Sequence, residues 1–436
     1  MLLDCGLFQG HRAEAVRKNK ELPFDPKSLQ HVILSHAHID HSGGLPILAK
    51  RGYAGPIHCT QATRELCGIM LLDSGHLQEA DARFYNKIHA GRLPPIEPLY
   101  TEEEAEACLA RFQTHPYNEE RGLAAGLSFR LYNASHVLGS AMIEVEAEGR
   151  RLLFTGDLGR RRTILMDPPE IPRSVDALLI ESTYGDRLHD PITLVEGQLK
   201  AVIDRAVAQR SKILIPSFAL ERAQEIIFVI EKLIRQKTIP VLPLYVDSPM
   251  TISITEIFNR HISGFSFSPE FRDYVASQGN PFQFPNVHYV RLAQESQRLN
   301  DLPGPMIILS ASGMCEGGRI LHHLRNNLDN PATTVLLVGY QAEGTLGRRL
   351  QTGAKKVKIF GVEQEVAARV ETMHTFSAHA DQADLLWFIG SLNPRPRRIF
   401  LVHGDNERRV ALKNHLAAAG IDRVECPDYG QSFELD

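Results

Sequence analysis

Three histidines and an aspartate crowd into one short segment of the sequence, LSHAHIDHSGG at residues 34–44. Neutral imidazole is a common nitrogen ligand of zinc, and carboxylate oxygens also bind it. Because alternate residues of an extended segment point the same way, His36 and His38 are predicted to share one metal ion. Asp40 and His41 follow a turn and are predicted to serve a second ion. Incidental histidines in a polar loop are the alternative, since the chain has 19, but this order of residues favours metal ligation.

Two metal ions need more ligands than one loop supplies, and other predicted strand ends carry candidates. His136 precedes the alternating segment LGSAMIEVEA, Asp157 ends the apolar run RLLFTGD, and His403 ends the apolar run RRIFLVH. For each histidine alone, a structural hydrogen bond is an equal alternative, and a lone aspartate at a strand end is more often a cap. Their shared position at the ends of separate strands favours the ligand interpretation.

The elements that position these residues alternate between strands and helices. The segment HVILSH predicts a buried strand, and Thr101 with Glu104 predicts a capping box at the start of a helix over residues 101–113. In the second half, apolar runs such as KILIPSF and PMIILSAS are interspersed with helical patterns such as ERAQEIIFVIEKLIRQ. This alternation predicts an α/β protein with a parallel sheet flanked by helices.

Composition excludes several classes of protein. With 436 residues the chain is too long for one ordinary core, so two or more structural units are predicted. No apolar run has the length of a membrane span and no signal peptide is visible, so no membrane partner is predicted. The six cysteines lack metal-binding spacing, which predicts reduced thiols and a cytoplasmic location. The net charge of −4 gives no overall basic surface, so nucleic acid would need a local basic patch.

The order of the candidate ligands, HxHxDH followed by His136, Asp157 and His403, resembles the metallo-β-lactamase superfamily. Three segments resemble motifs A, B and C of its β-CASP branch: LLIESTYGDRLH at 178–189, TFSAHADQADL at 375–385, and LVHGD, which contains His403. The resemblance extends over nearly the whole chain. It narrows to RNA-processing nucleases similar to the catalytic subunit of the cleavage and polyadenylation specificity factor.

The resemblance implies a metallo-β-lactamase αββα sandwich with an inserted β-CASP domain, whose parallel sheet is flanked by helices. Residues 1–187 would form the first part of the lactamase domain, 188–356 the β-CASP domain and 357–436 the rest of the lactamase domain. The family has two strands before the segment LLDCG, and this chain begins inside that segment. The N-terminal strands are therefore expected to be missing, which would leave a sheet edge exposed.

The resemblance also implies a site with two Zn²⁺ ions. One ion would be held by His36, His38 and His136, the other by Asp40, His41 and His403, with Asp157 bridging both. Asp4, in LLDCG, would lie behind the ligands and orient one of them or its loop. A turn-capping role before Gly6 is an equal alternative for Asp4.

Motifs A and B supply the remaining catalytic groups. The leaving 3′ oxygen needs a proton, and a histidine with a near-neutral pKa can give one. His379 is therefore assigned as the general acid and Glu181 as the carboxylate that fixes its tautomer. Asp40 completes the predicted catalytic set as a metal ligand. A structural hydrogen-bonded pair is the alternative for Glu181 and His379.

Substrate contacts are predicted at two strand–helix junctions in the second half of the chain. Backbone N–H groups of the segment SASGMCEGGRI could hold a phosphate, and two arginines after AEGTLG could grip others. The predicted contact residues are Ser312, Gly313, Gly317, Gly318, Arg348 and Arg349. A plain tight turn is the alternative for the first segment, and a solvated surface role is the alternative for the arginines.

These residues and the resemblance predict a zinc-dependent ribonuclease that cleaves single-stranded RNA with a metal-activated hydroxide, in RNA processing or decay. In the β-CASP branch, histidine rather than valine in motif C implies RNA rather than DNA, and the residue here is His403. One alternative is a DNA nuclease, or a hydrolase of a small ester or thioester, with the same dinuclear core. Another is a non-catalytic RNA-binding subunit. The preference for endonuclease or 5′-exonuclease cleavage and the oligomeric state, a homodimer included, stay open.

Overall fold

The computed structural model describes residues 1–8, 17–264 and 266–435. Its contacts divide the chain into two compact units. The first unit comprises Met1–Arg161, Met166–Leu188 and His379–Asp436, and the second comprises Arg162–Leu165 and His189–Ala378. In chain order, the second unit therefore interrupts the first.

The first unit begins with strands β1 (Leu2–Leu3), β2 (Val32–Ile33), β3 (Ile57–Cys59), β4 (Phe112–Thr114), β5 (Arg121–Ala124), β6 (Leu127–Asn133), β7 (Ala141–Ala147), β8 (Arg150–Phe154) and β9 (Ala177–Glu181). Helices of this segment include the 3-10 helix Pro26–Ser28 and α1 (Ile39–Ser42), α2 (Leu45–Lys50), α3 (Gln61–Ile88) and α4 (Glu102–Leu109). Thr101 and Glu104 exchange side-chain and backbone hydrogen bonds of 3.0 and 3.2 Å, which confirms the predicted capping box. Helix α4 therefore begins where the sequence placed its start.

The second unit is built around a parallel sheet. Its strands are β10 (Lys212–Pro216), β11 (Leu244–Val246), β12 (Val287–Tyr289), β13 (Met306–Ser310), β14 (Thr334–Leu337), β15 (Lys356–Ile359), β16 (Val362–Glu365) and β17 (Arg369–Thr372). Its helices include the 3-10 helix Ile192–Leu194 and α5 (Val195–Gln209), α6 (Arg222–Arg235), α7 (Pro249–His261), α8 (Pro269–Gln278), α9 (Ala293–Asp301), α10 (Ile320–Asn327) and α11 (Leu346–Gln351). The sheet has the order β12-β11-β13-β10-β14-β17, and β15 and β16 form a separate hairpin. The predicted parallel sheet flanked by helices is confirmed.

The chain returns to the first unit with α12 (Gln382–Ser391), β18 (Arg398–Val402), α13 (Asn406–Ala418) and β19 (Val424–Glu425). Strand β18 pairs in parallel with β9 and completes a seven-stranded sheet of order β19-β18-β9-β8-β7-β6-β5. The chain re-enters the first unit after Ala378, whereas the sequence predicted this re-entry at residue 357. The reason is that β17 finds its ladder partner in β14 and so belongs to the sheet of the second unit.

The core of the first unit lies between its two sheets. The smaller sheet is parallel with the order β1-β2-β3-β4, so β1 is its outer strand. Ile33 of β2 packs in one buried cluster with Leu131 of β6 and Ile143 of β7, so the two sheets face each other. In a second buried cluster, Leu178 of β9 packs with Phe388 of α12. Helix α3 contacts β4 of the smaller sheet, and the predicted αββα sandwich is confirmed.

None of the helices formed by the described residues combines the length and the apolar character that crossing a bilayer demands.

Three histidines form a hydrogen-bonded chain across the smaller sheet. His31 precedes β2, His58 lies in β3 and His115 follows β4. Nδ1 of His31 lies 3.1 Å from Nε2 of His58, and Nδ1 of His58 lies 2.9 Å from Nε2 of His115. His58 is buried, and burial together with the neighbouring imidazoles lowers its pKa to about 4. The folded protein therefore favours neutral His58.

Replacing His58 by leucine should flatten the pH dependence of stability. As the pH falls below 6.5, His58 of the unfolded chain takes up a proton, whereas His58 of the folded protein stays neutral down to about pH 4. The free energy of unfolding is therefore unaffected by His58 protonation above pH 6.5 and falls as the pH drops from 6.5 to 4. Between about pH 7 and about pH 5 the wild-type free energy of unfolding should fall by roughly 2 kcal/mol more than that of His58→Leu. Chemical denaturation at the two pH values measures this difference.

His415→Leu is the matched control, because His415 is exposed on α13. This control should show the wild-type pH dependence. Equal pH dependence of stability in wild type and His58→Leu would contradict the lowered pKa of His58 in the folded protein.

Candidate metal centre

The segment after β2 places the first histidines. His36 follows the strand and is fully buried, and His38 lies immediately before α1, whose first turn carries Asp40 and His41. The hydroxyl of Ser42 donates to the backbone oxygen of His38 at 3.0 Å and fixes this turn. A strand end followed by a short helix thus points four side chains toward one region.

The first ligand group consists of His36, His38 and His136. Nδ1 of His38 lies 3.1 Å from Nε2 of His36 and 3.2 Å from Nε2 of His136. Oδ2 of Asp157 lies 3.5 Å from Nε2 of His36 and 3.4 Å from Nε2 of His136. Burial lowers the pKa of His36 and His136, and it lowers the pKa of His38 to about 3, so these imidazoles are neutral. Neutral imidazole is the form that binds metals.

The second ligand group consists of Asp40, His41 and His403. One donor atom from each residue lies within 4.8 Å of the other two. Oδ1 of Asp157 lies 3.1 Å from Nε2 of His41 and 3.3 Å from Nε2 of His403. Asp157 therefore lies between the two groups and turns one carboxylate oxygen toward each.

The donor atoms of these groups fit a metal ion better than they fit each other. Nε2 of His41 and Oδ1 of Asp157 are both buried and lie 3.1 Å apart, yet neither makes a hydrogen bond of acceptable geometry with any described residue. A buried polar atom without a partner is destabilising, and a bound cation would satisfy both atoms at once. Imidazole nitrogen and carboxylate oxygen are the donors that Zn²⁺ takes in proteins.

Asp4 lies behind His41 and fixes its orientation. Its carboxylate accepts hydrogen bonds from the backbone N–H and the hydroxyl of Ser35 at 2.7 and 2.6 Å. Oδ2 of Asp4 lies 2.7 Å from Nδ1 of His41, so the other nitrogen of that ring points toward Asp157. Burial alone would lower the pKa of His41, but the carboxylates of Asp157 and Asp4 outweigh it and raise this pKa. This geometry supports the orienting role predicted for Asp4.

Glu181 and His379 lie at the side of the first ligand group. Nδ1 of His379 is 3.1 Å from Oε1 of Glu181 and 3.9 Å from Oδ2 of Asp157. Glu181 is fully buried and accepts the backbone N–H groups of Leu158 and Thr183 at 2.7 and 3.2 Å. Burial opposes protonation of His379, but the charges of Glu181 and Asp157 raise its pKa to about 9. These charges favour the protonated form of His379, although its distance from Asp157 also places it within reach of a metal ion.

Two glycines allow the ligand loops to approach one another. A β-carbon at Gly6 would lie 1.6 Å from the backbone oxygen of Asp40, and one at Gly159 would lie 1.9 Å from the backbone oxygen of Ser135, next to His136. The sequence motifs assign neither glycine a role in the site. The available signal was that each glycine comes two residues after an acidic residue at a strand end, Gly6 after Asp4 and Gly159 after Asp157.

Comparison with known families decides the identity of this architecture. Residues 1–217 match the model of the metallo-beta-lactamase superfamily, and residues 223–350 match that of the Beta-Casp domain. Residues 363–427 match the Zn-dependent metallo-hydrolase RNA specificity domain. Ribonuclease TTHA0252 of Thermus thermophilus is 37% identical over 436 residues, which are 100% of this chain and 94% of that protein. This chain belongs to the β-CASP branch of the metallo-β-lactamase superfamily.

Other relatives agree with the family predicted from the motifs. An RNase J-like protein of Methanocaldococcus jannaschii is 34% identical over 417 residues, which cover 94% of this chain and 88% of the relative. Transcription termination factor FttA of Methanothermobacter thermautotrophicus is 33% identical, over 95% of this chain and 65% of that protein. A solved structure of a protein of unknown function from Enterococcus faecalis V583 shares the fold alone, with 14% identity, a TM-score of 0.50, and coverage of 92% of this chain and 80% of that one.

In this β-CASP protein, the loop from Ser312 to Gly318, which the sequence predicted to bind phosphate, makes hydrogen bonds within itself. The hydroxyl of Ser312 accepts the backbone N–H groups of Glu316 and Gly317 at 3.0 and 3.2 Å, and the N–H of Ser312 donates to the oxygen of Gly317 at 3.2 Å. Gly318 has a left-handed φ of 73°. These bonds support the tight-turn alternative, and contact of the loop with substrate stays a prediction.

The two predicted arginines are exposed on α11 of the second unit. Arg348 donates from Nη1 to Oε1 of Gln351 at 2.7 Å, and Arg349 donates from Nη2 to the backbone oxygen of Lys356 at 3.3 Å. Both interactions are at the surface, so they do not exclude a phosphate contact. Their role in substrate binding stays a prediction.

Gly159→Ala should release metal from this β-CASP centre. A β-carbon 1.9 Å from the oxygen of Ser135 must displace the loop that carries His136, because neither backbone can yield without moving a strand end. The first ligand group should then lose its geometry, and metal content per chain should fall by about half or more. Elemental analysis after dialysis measures the change.

Gly122→Ala is the matched control, because a β-carbon at Gly122 meets no atom within 4 Å. Its metal content should equal that of the wild type. Full metal content in Gly159→Ala, with unchanged thermal stability, would contradict the close approach described here.

Proposed function

We propose that this chain is a metal-dependent ribonuclease that hydrolyses phosphodiester bonds in single-stranded RNA. The observation that carries the proposal is the position of Asp157, whose two carboxylate oxygens face two separate groups of ligands. The match to an RNA specificity domain and the names of the Thermus and Methanocaldococcus relatives support RNA as the substrate.

The ligand groups suit two zinc ions. The first ion would be held by His36, His38 and His136, the second by Asp40, His41 and His403, with Asp157 shared between them. Two such ions, when bound, would lower the pKa of a water molecule and stabilise negative charge on phosphate oxygens. Asp4 keeps His41 in the orientation that this arrangement needs.

His379 would supply the proton that the leaving 3′ oxygen requires. Glu181 holds the ring at 3.1 Å and favours its charged form, and two backbone N–H groups hold Glu181 in turn. The side chain of His379 is 23% exposed, whereas Asp157 and Glu181 are buried, so His379 can reach a bound substrate. General acids of this kind accelerate reactions by roughly 10² to 10⁴.

The non-catalytic alternative predicted from the sequence is less well supported than the ribonuclease. An RNA-binding subunit without activity would be expected to lack metal ligands, but all seven candidate ligands lie together in the first unit.

All six cysteines are free thiols, which supports a reducing compartment such as the cytoplasm.

His379→Ala should keep its metal and bind RNA but cleave roughly 10² to 10⁴ times more slowly at saturating RNA, because the leaving oxygen loses its proton donor. Glu181→Gln should cause a smaller loss, since the histidine remains. Asp157→Asn should lose metal together with activity, because one oxygen serves each ligand group. Elemental analysis and cleavage rates are measured on the same samples.

His415→Ala, an exposed histidine on α13, serves as the control and should behave as wild type. If His379→Ala lost zinc in step with activity, His379 would be a metal ligand, as its 3.9 Å distance from Asp157 allows. Full activity with full metal content would make the residue structural.

Single-stranded RNA should be cleaved much faster than DNA of the same sequence. The expectation depends on His403, the histidine that RNA-specific members of the branch carry in motif C, and on the RNA specificity domain match. End-labelled RNA and DNA oligomers incubated with metal-replete protein measure the two rates. Equal rates would remove the support for RNA specificity while leaving a metal-dependent nuclease.

A further inference from the structure

An exposed aromatic ring stands at the carboxyl end of the central parallel sheet in the second unit. Phe218 comes two residues after β10, whose residues Lys212–Pro216 are all buried, yet Phe218 itself is 36% exposed. In the sheet, β10 has β13 on one side and β14 on the other. Ligands of open parallel sheets bind outside the carboxyl ends of the strands, so this is the edge at which an exposed ring would meet a ligand.

Two glycines form the seat of this ring. Gly313 follows β13 and Gly339 follows β14, so the seat is supplied by the two strands that flank β10. A β-carbon at Gly313 would lie 2.8 Å from Cδ2 of Phe218, and one at Gly339 would lie 3.1 Å from Cε2. One edge of the ring therefore rests on backbone at both positions, and side chains there would push the ring away.

Gln341 ties the two halves of the seat together. This side chain is 4% exposed, and its amide nitrogen donates to the backbone oxygen of Gly313 at 2.9 Å and to that of Gly339 at 3.2 Å. Gly347 leaves room for it, since a β-carbon there would lie 1.7 Å from Oε1 of Gln341. The backbone N–H of Ser217 donates to the oxygen of Ser310 at 3.0 Å and fixes the chain just before the ring. Phe218 is thus held on a rigid support although much of it faces outward.

We propose that Phe218 is a stacking platform for a base of single-stranded RNA. The inference rests on the proposed ribonuclease function and adds a substrate contact to it. A ring that is fixed before binding loses little freedom when a flat base stacks on it, which favours affinity without sequence selectivity. Gly313, predicted from the sequence to contact phosphate, acts in this proposal as part of the seat.

The experiment compares the affinity of the protein for oligomers with and without bases. The probes are a phosphorothioate-linked oligoadenylate and an abasic oligomer of equal length and charge, and binding is followed by fluorescence anisotropy. Base–aromatic stacking changes affinity by about 5- to 150-fold for each base. Phe218→Leu should weaken binding of the oligoadenylate by about this factor and leave the abasic oligomer unaffected. Phe218→Tyr keeps the ring and should bind both oligomers as wild type does.

Phe84→Leu is the matched control, because Phe84 is 65% exposed on α3 of the first unit. It should bind both oligomers as wild type does, and thermal unfolding should show every variant folded. Unchanged oligoadenylate affinity in Phe218→Leu, or equal weakening of both oligomers, would overturn the stacking proposal.

A separate cleavage assay distinguishes this failure from failure of the proposed function. If the wild type cleaves RNA in a metal-dependent way but Phe218→Leu keeps full affinity for the oligoadenylate, the ribonuclease function is supported and the stacking platform is not. Absence of RNA cleavage by metal-replete wild type would overturn the ribonuclease itself. Equal wild-type affinity for the two oligomers would overturn the platform and favour a protein partner for this ring.

Discussion

The buried carboxylate of Asp157 is the constraint on which the first unit depends. Burial alone would raise its pKa, because water no longer stabilises the charge. The imidazoles of His403, His41 and His379 outweigh burial and hold this pKa well below its usual range. A charged carboxylate enclosed by nitrogen donors is stable only if cations or protons balance it, so the loops that carry those donors must be held at fixed distances.

The sandwich supplies the rigidity that these loops require. Asp4, Ser135 and His403 have left-handed φ angles of 57°, 61° and 47°, which are unfavourable for residues with a β-carbon. Each such residue costs roughly 1–3 kcal/mol and persists only where the surrounding structure determines it. All three follow strand ends, where pairing with β2 on one side of β1, and with a strand on each side of β6 and β18, holds the backbone. The second unit follows the same rule, since the seat of Phe218 is formed by the ends of adjacent strands.

The sequence by itself determined the chemical types and most of the elements. Metal ligands must be supplied as histidine and aspartate whatever the fold, so HxHxDH, His136, Asp157 and His403 were visible as candidates. The apolar runs before them marked the strand ends. The capping box of Thr101 and Glu104 depends on residues three apart, so it too was readable from local sequence.

The tertiary structure alone decided which atoms meet. The division of the oxygens of Asp157 between two ligand groups depends on loops far apart in the chain. Strand β17 has no strong apolar run, and its pairing with β14 kept the chain in the second unit past residue 357. The histidine chain and the seat of Phe218 each join residues that lie in or next to three different strands. Local pattern specifies whether a segment is a strand, but the order of strands in a sheet fixes which side chains become neighbours, and that order depends on the packing of the whole unit.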